Sequence, residues 1–261
     1  MNVQPIGIFD SGIGGTSIWA EIVQLLPNEN TIYLADSKYA PYGERSADKI
    51  IELSIKNTER LLDMGCKMVV VACNTATTNA IKILRKQYDI PFIGIEPAIK
   101  PAALATKTKK VGILATKGTL SSKLFADTSD RYANHLDVVE VIGTGLVPLI
   151  EQNQIDSPAM RALLQSHLEP MLAQNIDYLV LGCSHYPYLI PLLKKLVPPH
   201  ITIIDSGEAV AKQTKNLLKQ HHLLGNNTTP NYQFYTNATT TTLCKILDSH
   251  NHHYTASYLD F

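Results

Sequence analysis

Short apolar runs alternate with amphipathic segments along most of this chain. The apolar runs predict strands near 6–9, 31–35, 68–72, 91–95, 110–114, 137–141, 177–181 and 201–204. The amphipathic segments predict helices over 16–26, 47–63, 75–87, 119–133, 158–174 and 187–196. Nearly continuous apolar strands that alternate with helices are typical of a parallel sheet covered on both faces, so we predict an α/β fold.

This order of elements occurs twice. The segments that match between the halves are Ile6–Ser11 with Val111–Thr116, Cys73 with Cys183, and Phe92–Glu96 with Ile201–Asp205. Chance similarity between βα units is an alternative, but the paired cysteines favour duplication. We predict two similar parallel-sheet α/β domains related by a pseudo-twofold duplication, with the active site in the cleft between them. The first domain would comprise residues 1–97 plus 208–261, and the second residues 98–207.

Composition restricts the classes of partner. The 261 residues are 45% hydrophobic and 18% charged, and 23 basic residues balance 23 acidic ones. A neutral chain has no overall basic field to attract nucleic acid or an anionic membrane. No apolar run approaches the ~20 residues of a membrane span, and the N-terminal segment lacks the pattern of a secretion signal. We expect a cytoplasmic protein with neither a nucleic-acid nor a membrane partner.

Two of the four cysteines occupy equivalent positions, each at the end of a predicted buried strand. Cys73 follows Met68–Ala72, and Cys183 follows Tyr178–Gly182. The other two cysteines, Cys66 and Cys244, are expected to be small buried hydrophobes. No pair has the C-x-x-C spacing of a zinc or redox site. For the histidines at 221–222 and 250–253, solvated surface is favoured over metal binding, so we predict no metal site.

The turn Asp10-Ser11-Gly12-Ile13-Gly14-Gly15 follows the first strand and opens a helix. A dinucleotide-binding loop would need glycine at position 17, which is Ser17, and Asp10 would repel a pyrophosphate. We therefore reject a nucleotide loop. A tight turn with a capping aspartate remains an alternative to a ligand site.

Polar pairs follow both strand-end cysteines. Asn74-Thr75 follows Cys73, and Ser184-His185 follows Cys183. Thr75 and Ser184 are suited to capping a helix, but free backbone amides there are equally suited to binding a carboxylate. The loop Pro41-Tyr42-Gly43 similarly fits either a plain turn or a ligand-closing loop with amide donors. His185 fits either a structural role or a nucleophile–base pair with Cys183.

Together these motifs resemble the glutamate racemase family of the aspartate/glutamate racemase superfamily. The motifs that carry the resemblance are Gly7–Gly15, Pro41–Gly43, Ala72–Ala76 and Gly182–Pro187, which span most of the chain. The resemblance implies a cofactor-independent enzyme that interconverts L- and D-glutamate for peptidoglycan synthesis, usually as a homodimer. It further implies Cys73 and Cys183 as the two bases, assisted by Asp10 and His185, with Glu151 as a further acidic helper.

The resemblance also implies the substrate contacts. They map to Asp10, Ser11, Tyr42, Gly43, Asn74, Thr75, Thr116, Ser184 and His185. Ser184 departs from the threonine that the family usually has there. Because the hydroxyl and the amide are retained, we expect little change in its role.

The residues themselves fit more than one chemistry. Two thiols on opposite faces of a cleft suit removal of a proton from one face of a carbon and its return to the other. A Cys–His hydrolase or amidase is a second hypothesis, and it would need only one essential cysteine. A non-catalytic two-lobed binding protein is a third, and it would tolerate the loss of both thiols.

Overall fold

The computed structural model describes residues 3–250 and 252–261, so Met1, Asn2 and Asn251 of the predicted first domain lie outside it. The described strands are β1 (Ile6–Asp10), β2 (Thr31–Ala35), β3 (Met68–Val71), β4 (Phe92–Gly94), β5 (Lys110–Ala115), β6 (Asp137–Ile142), β7 (Tyr178–Gly182), β8 (Thr202–Ile204), β9 (Tyr232–Thr236) and β10 (Thr255–Tyr258). The described helices are α1 (Thr16–Leu25), α2 (Ala47–Asp63), α3 (Asn74–Gln87), α4 (Ile99–Ala105), α5 (Lys117–Leu120), α6 (Lys123–Ala133), α7 (Leu146–Glu151), α8 (Pro158–Leu172), α9 (Ile190–Leu196), α10 (Gly207–Gln220) and α11 (Thr241–Leu247).

The strands form two separate parallel sheets, which confirms the predicted pair of α/β domains. The first sheet has the order β10-β9-β2-β1-β3-β4, and the second has the order β6-β5-β7-β8. In both, the first strand of the unit lies centrally and pairs with the second and third. Strands β9 and β10 extend the first sheet only. This strand membership supports the domain boundaries, which stay a prediction.

Two predicted helices differ in detail from those observed. The helix expected over 119–133 is two helices, α5 and α6, because the Ser122 hydroxyl accepts a hydrogen bond from the Phe125 N–H and starts a new helix. The helix expected over 187–196 begins with a 3₁₀ turn over Tyr186–Leu189, and α9 follows at Ile190. Helices α4, α7, α10 and α11 and strands β9 and β10 were not predicted.

An aromatic cluster attaches the C-terminal segment to the first domain. The buried Trp19 of α1 makes edge-on contacts with Tyr232 and Phe234 of β9. The rings of His250 and His252 also meet Trp19 edge-on. Edge-on contacts between aromatic rings stabilise a fold beyond the effect of the area that the rings bury. Packing of aromatic rings therefore attaches β9 and the C-terminal histidines to α1.

Several other features of the described residues bear on the predicted partners. No helix there combines the length and the apolar character needed to cross a membrane. No cluster of three or more His, Cys, Asp or Glu side chains there is placed to hold a metal ion. All four cysteines are free thiols. Cys66 is buried as expected, whereas Cys244 is only half-buried, although its neighbours Leu243, Ile246 and Leu247 on α11 are buried.

A buried ion pair lies at the end of the first sheet opposite the strand-end cysteines. Nζ of Lys67, just before β3, is 2.5 Å from Oε2 of Glu29, and each side chain is only 1% exposed. The other carboxylate oxygen accepts a hydrogen bond of 2.6 Å from the Gly225 N–H. The pair therefore connects three segments that are distant in sequence.

We predict that Lys67→Met lowers the free energy of unfolding by about 3–5 kcal/mol, because it leaves the Glu29 carboxylate buried without its partner. The double variant Lys67→Met/Glu29→Leu should lose less, since it removes both charges. Urea denaturation of the two variants measures the difference. A Lys67→Met variant that is more stable than the double variant would contradict the view that the buried Glu29 charge needs Lys67.

Candidate active site

Four central strands, two from each sheet, end at the interface between the domains. Asp10 is the last residue of β1, and Cys73 lies just after β3. From the second sheet, Thr116 follows β5 and Cys183 follows β7. The carboxyl ends of parallel strands are where open α/β sheets bind ligands. The two halves therefore bring their equivalent strand ends to one cleft.

Glycines in the turn after β1 let side chains of the second domain approach the backbone. A Cβ on Gly12 would lie 2.0 Å from Oε1 of Glu151, and a Cβ on Gly14 would lie 2.1 Å from Nδ1 of His185. Instead, the Ile13 N–H donates a 2.8 Å hydrogen bond to Glu151. The turn thus accommodates a carboxylate and an imidazole of the protein itself.

His185 lies at the centre of the charged groups and is 1% exposed. Its Nε2 is 2.6 Å from Oε1 of Glu151, and its Nδ1 is 3.8 Å from Sγ of Cys183 and 4.0 Å from Oδ2 of Asp10. Burial alone would lower the pKa of His185, but hydrogen bonds to Cys183 and Glu151 and the charge of Asp10 outweigh it and raise the pKa well above its usual value. The direction of this shift favours the protonated imidazole, although Nε2 also lies 3.2 Å from the Gly14 N–H.

The Asp10 carboxylate is fully buried and is held by groups from both domains. Oδ2 accepts a 3.1 Å bond from the Gly12 N–H, and Oδ1 accepts a 3.0 Å bond from the Ser184 hydroxyl. Burial raises the pKa of Asp10, although the charge of His185 opposes that shift. Ser184 thus holds Asp10 and does not cap an α-helix, because a 3₁₀ turn follows it.

Cys73 is the N-cap of α3, the role that we considered for Thr75. Its Sγ accepts a 3.4 Å bond from the Ala76 N–H, while the thiol proton points to Oγ of Ser11 at 3.7 Å. Burial raises the pKa of this thiol far above its usual value, and the charge of Asp10 raises it further. Both effects favour the protonated thiol at Cys73.

Asn74 has a buried side-chain amide without a protein partner among the described residues. Both its Nδ2 and its Oδ1 are buried, and no partner is found for them in the described part of the chain. A buried polar group without a partner costs about 1–3 kcal/mol. The backbone N–H groups of Asn74 and Thr75, at the start of α3, have no protein partner among residues 3–250 and 252–261 either.

The Pro41–Gly43 loop faces the same region with its backbone. Within the described ranges, the N–H groups of Tyr42 and Gly43 have no hydrogen-bond partner. The Tyr42 side chain points away, because its hydroxyl donates to the carboxylate of Asp36 and its ring is buried. Tyr42 was predicted as a substrate contact, and the geometry restricts any such contact to its backbone.

Thr116 closes the site on this side. Its hydroxyl is 2.7 Å from that of Thr75 and 3.0 Å from that of Thr119. A cavity of about 260 Å³ lies beside it, lined partly by Pro41, Gly43 and Thr116. A larger cavity of about 660 Å³ lies between β4 and α10 and is lined by none of the predicted site residues. The larger cavity is therefore not the candidate site, because the polar and titratable residues predicted for the site lie elsewhere.

The structure brings most of the predicted residues into this cleft. They are Asp10, Ser11, Cys73, Asn74, Thr75, Thr116, Glu151, Cys183, Ser184 and His185, together with the backbone of Tyr42 and Gly43. Sequence reasoning missed Tyr33, whose hydroxyl donates to the Gly12 carbonyl at 2.8 Å, and Ser37, whose hydroxyl donates to Glu151 at 3.2 Å. It also missed Asp36. Asp36 directly follows β2 and Ser37 comes next. Because ligands bind at the carboxyl ends of parallel strands, the position of these two residues would have identified them as candidates.

Solved structures of other proteins share this architecture. A glutamate racemase isoform, RacE1 from Bacillus anthracis, superposes with a TM-score of 0.89 at 29% identity, covering 100% of this chain and 99% of that one. An Escherichia coli glutamate racemase in complex with L-glutamate and the activator UDP-MurNAc-Ala gives a TM-score of 0.87 at 32% identity, with 98% of each chain covered.

Sequence relatives agree with the structural ones. A glutamate racemase from Ectopseudomonas mendocina is 52% identical over 221 residues, which are 84% of each chain. Another, from Pseudomonas putida, is 48% identical over 244 residues, which are 93% of this chain and 92% of the relative. The family model for Asp/Glu/Hydantoin racemase matches residues 6–214. Since these matches span most of the sequence, the chain belongs to the Asp/Glu/Hydantoin racemase family.

Proposed function

We propose that this enzyme is a cofactor-independent glutamate racemase that works with two thiols, Cys73 and Cys183. The family and the relatives make the chain an amino-acid racemase. Glutamate as the substrate is supported by the names of those relatives. The observation that supports the two-thiol mechanism is that the cysteines follow equivalent strands of the two sheets and lie near enough for a charge on Cys183 to raise the pKa of Cys73, while their hydrogen-bond partners differ.

In the proposed reaction, one thiolate removes the α-proton and the opposite thiol supplies its replacement. An S–H bond forms at the first sulfur as the Cα–H bond breaks, and the electron pair remains on Cα. The second thiol then gives its proton to the other face of Cα, and its own electron pair stays on that sulfur as a thiolate. The family resemblance assigns Cys183 to the proton of the L-enantiomer and Cys73 to that of the D-enantiomer. A protonated Cys73 suits the form of the enzyme that receives L-glutamate.

The two sulfurs are supported in different ways. A thiolate on Cys183 would face the positively charged imidazole of His185, which is held in turn by Glu151. A thiolate on Cys73 would face the Ala76 N–H and the positive end of the α3 dipole. Asp10 lies between the domains and holds Ser184 beside His185. Each thiolate therefore has its own source of stabilisation.

Substrate carboxylates would bind to donors that the protein leaves free. The candidates are the Asn74 side-chain amide and the backbone N–H groups of Tyr42, Gly43, Asn74 and Thr75. Donors aimed at an α-carboxylate also stabilise the negative charge that spreads into it when the α-proton leaves. The homodimer and the supply of D-glutamate for peptidoglycan stay predictions that rest on the resemblance, and the cytoplasmic location stays a prediction that rests on the sequence composition and the N-terminal pattern.

The proposed activity is tested by circular dichroism with separate solutions of L-glutamate, D-glutamate and aspartate. We expect the glutamate signal to decay to zero from either enantiomer, far faster than the aspartate signal, without any added cofactor. Dialysis against a chelator should leave the rate unchanged. A rate that the chelator abolishes and added metal restores would exclude the cofactor-independent mechanism, and faster decay of aspartate would exclude glutamate as the main substrate.

We predict that Cys73→Ala and Cys183→Ala each abolish racemisation, because each removes one of two required proton carriers. In D₂O, the wild type should place deuterium mainly in the newly formed enantiomer early in the reaction, since that proton comes from a solvent-equilibrated thiol. Chiral chromatography with mass spectrometry measures both effects. Cys66→Ala is the control, because this buried free thiol precedes β3 and so lies at the end of that strand opposite Cys73.

Near-normal racemisation by either active-site variant would overturn the two-thiol mechanism. If Cys183 alone proved essential, the Cys–His hydrolase hypothesis would be favoured. If both alanine variants bound ligand as the wild type does and no protein form showed turnover, the hypothesis of a non-catalytic binding protein would be favoured.

We predict that Gly14→Ala lowers kcat by about 10²-fold, because the added methyl group displaces the His185 imidazole from Cys183. Gly65→Ala is the matched control. Its Cβ would meet nothing within 4 Å, but its φ of +76° makes the substitution cost about 1 kcal/mol of stability. The control should therefore melt earlier and keep its kcat. Equal losses of kcat in both variants would show that the effect comes from general destabilisation.

A further inference from the structure

Asp36 is a fully buried carboxylate that the proposed proton transfers do not use. It directly follows β2, and its backbone N–H donates a 3.0 Å bond to the carbonyl of Asp10. A carboxylate is expensive to bury unless hydrogen bonds replace its water. The groups that donate hydrogen bonds to the Asp36 carboxylate therefore indicate its structural role.

Three neutral side chains from separate segments donate to Asp36. They are the Tyr42 hydroxyl, Nδ2 of Asn57 on α2 at 3.2 Å, and Nδ2 of Asn237 just after β9. Lys56, on the surface side, adds its ammonium group at 3.9 Å. Asn237 also accepts from the Lys38 N–H at 2.9 Å. Asp36 therefore fixes the loop that follows it to a helix and to the C-terminal part of the first domain.

Tyr42 connects that loop to the buried surroundings of Cys73. Its ring packs in the same buried cluster as Cys73, and its hydroxyl accepts a 3.0 Å bond from Asn57 while donating to Asp36. Burial and the charge of Asp36 raise the pKa of Tyr42 well above its usual value, so the phenol keeps the proton that it donates. The side chain is thus an anchor, and only the backbone is left to face the cleft.

The second domain restrains the other side of the loop. A Cβ on Gly43 would lie 2.7 Å from Cβ of Thr116, and a Cβ on Gly118 would lie 3.2 Å from Cα of Gly43. Gly43, whose N–H has no partner in the described part of the chain, lines the cavity of about 260 Å³, and the similarly free N–H of Tyr42 is one residue before it. Their position is therefore set by the anchor at Asp36 on one side and by Thr116 on the other.

We infer that Asp36 is a positioning residue for substrate binding, whose buried carboxylate anchors the Tyr42 side chain and so aims the Tyr42 and Gly43 amides at a carboxylate of the substrate. The identity of that substrate rests on the proposed function. Asp36 acts through Tyr42 and touches no reacting atom.

The test compares Tyr42→Phe, Asp36→Asn and the double variant. Tyr42→Phe keeps the ring and removes only the donated hydrogen bond, so it should fold even if Asp36→Asn does not. We expect each single variant to raise KM for glutamate about 10-fold with a smaller change in kcat, because a binding contact is lost in ground state and transition state alike. The double variant should be no worse than the more impaired single variant, since both substitutions break one link.

Glu29→Gln is the matched control, because Glu29 is a buried, hydrogen-bonded carboxylate at the opposite end of the same sheet. It should lower the melting temperature and leave KM unchanged. Hydrogen–deuterium exchange of residues 37–45 gives a readout that does not require turnover. Exchange there should accelerate in Tyr42→Phe and Asp36→Asn but not in Glu29→Gln.

Normal KM in an active Tyr42→Phe variant, or unchanged exchange of this segment, would overturn the inference. A KM increase in Glu29→Gln equal to that in Asp36→Asn would also overturn it, by showing a general effect of destabilisation. If the wild type did not racemise glutamate while exchange still accelerated in both variants, the proposed substrate would fail and the anchoring by Asp36 would stand.

Discussion

The short contact between His185 and Glu151, 2.6 Å from nitrogen to oxygen, is the interaction on which the cleft depends. It holds an imidazole that is almost fully buried against a carboxylate, with the carboxylate of Asp10 nearby. Each of these charges would be costly to bury alone. The imidazolium offsets that cost for both carboxylates, which repel each other. Because Glu151 and His185 belong to the second domain and Asp10 to the first, the two domains must meet for the cluster to exist.

The need to bury that cluster explains the glycines of the turn after β1. Glu151 and His185 approach the backbone so closely that any Cβ at Gly12 or Gly14 would overlap them. Tyr33 supports the same turn from below through the Gly12 carbonyl. A glycine-rich turn that resembles a phosphate loop in composition therefore has a different purpose here: it seats side chains of the opposite domain.

Duplication supplies the symmetry of the two thiols, but their surroundings are not symmetric. Cys73 begins an α-helix and uses its sulfur as the helix cap, whereas Cys183 begins a 3₁₀ turn and faces His185. The prolines at 187 and 191 lack backbone N–H groups and delay the second helix. One thiol therefore contacts the backbone at a helix start and the other contacts a titratable side chain, so the two sulfurs differ in what would stabilise a thiolate.

The pattern of apolar runs was sufficient to predict eight of the ten described strands, the parallel α/β class and the residues at strand ends, because buried strands and their carboxyl ends are local properties of the sequence. The C-terminal β9 was missed because its alternating burial and polar flanks give no continuous apolar run. The motifs likewise identified the cysteines and their polar neighbours. Only the tertiary structure decided that the Tyr42 side chain turns away to Asp36, that Ser184 holds Asp10, and that Cys73 caps its own helix. Those contacts join residues far apart in the chain or depend on which way a side chain turns, and the packing of two domains, not local periodicity, determines them.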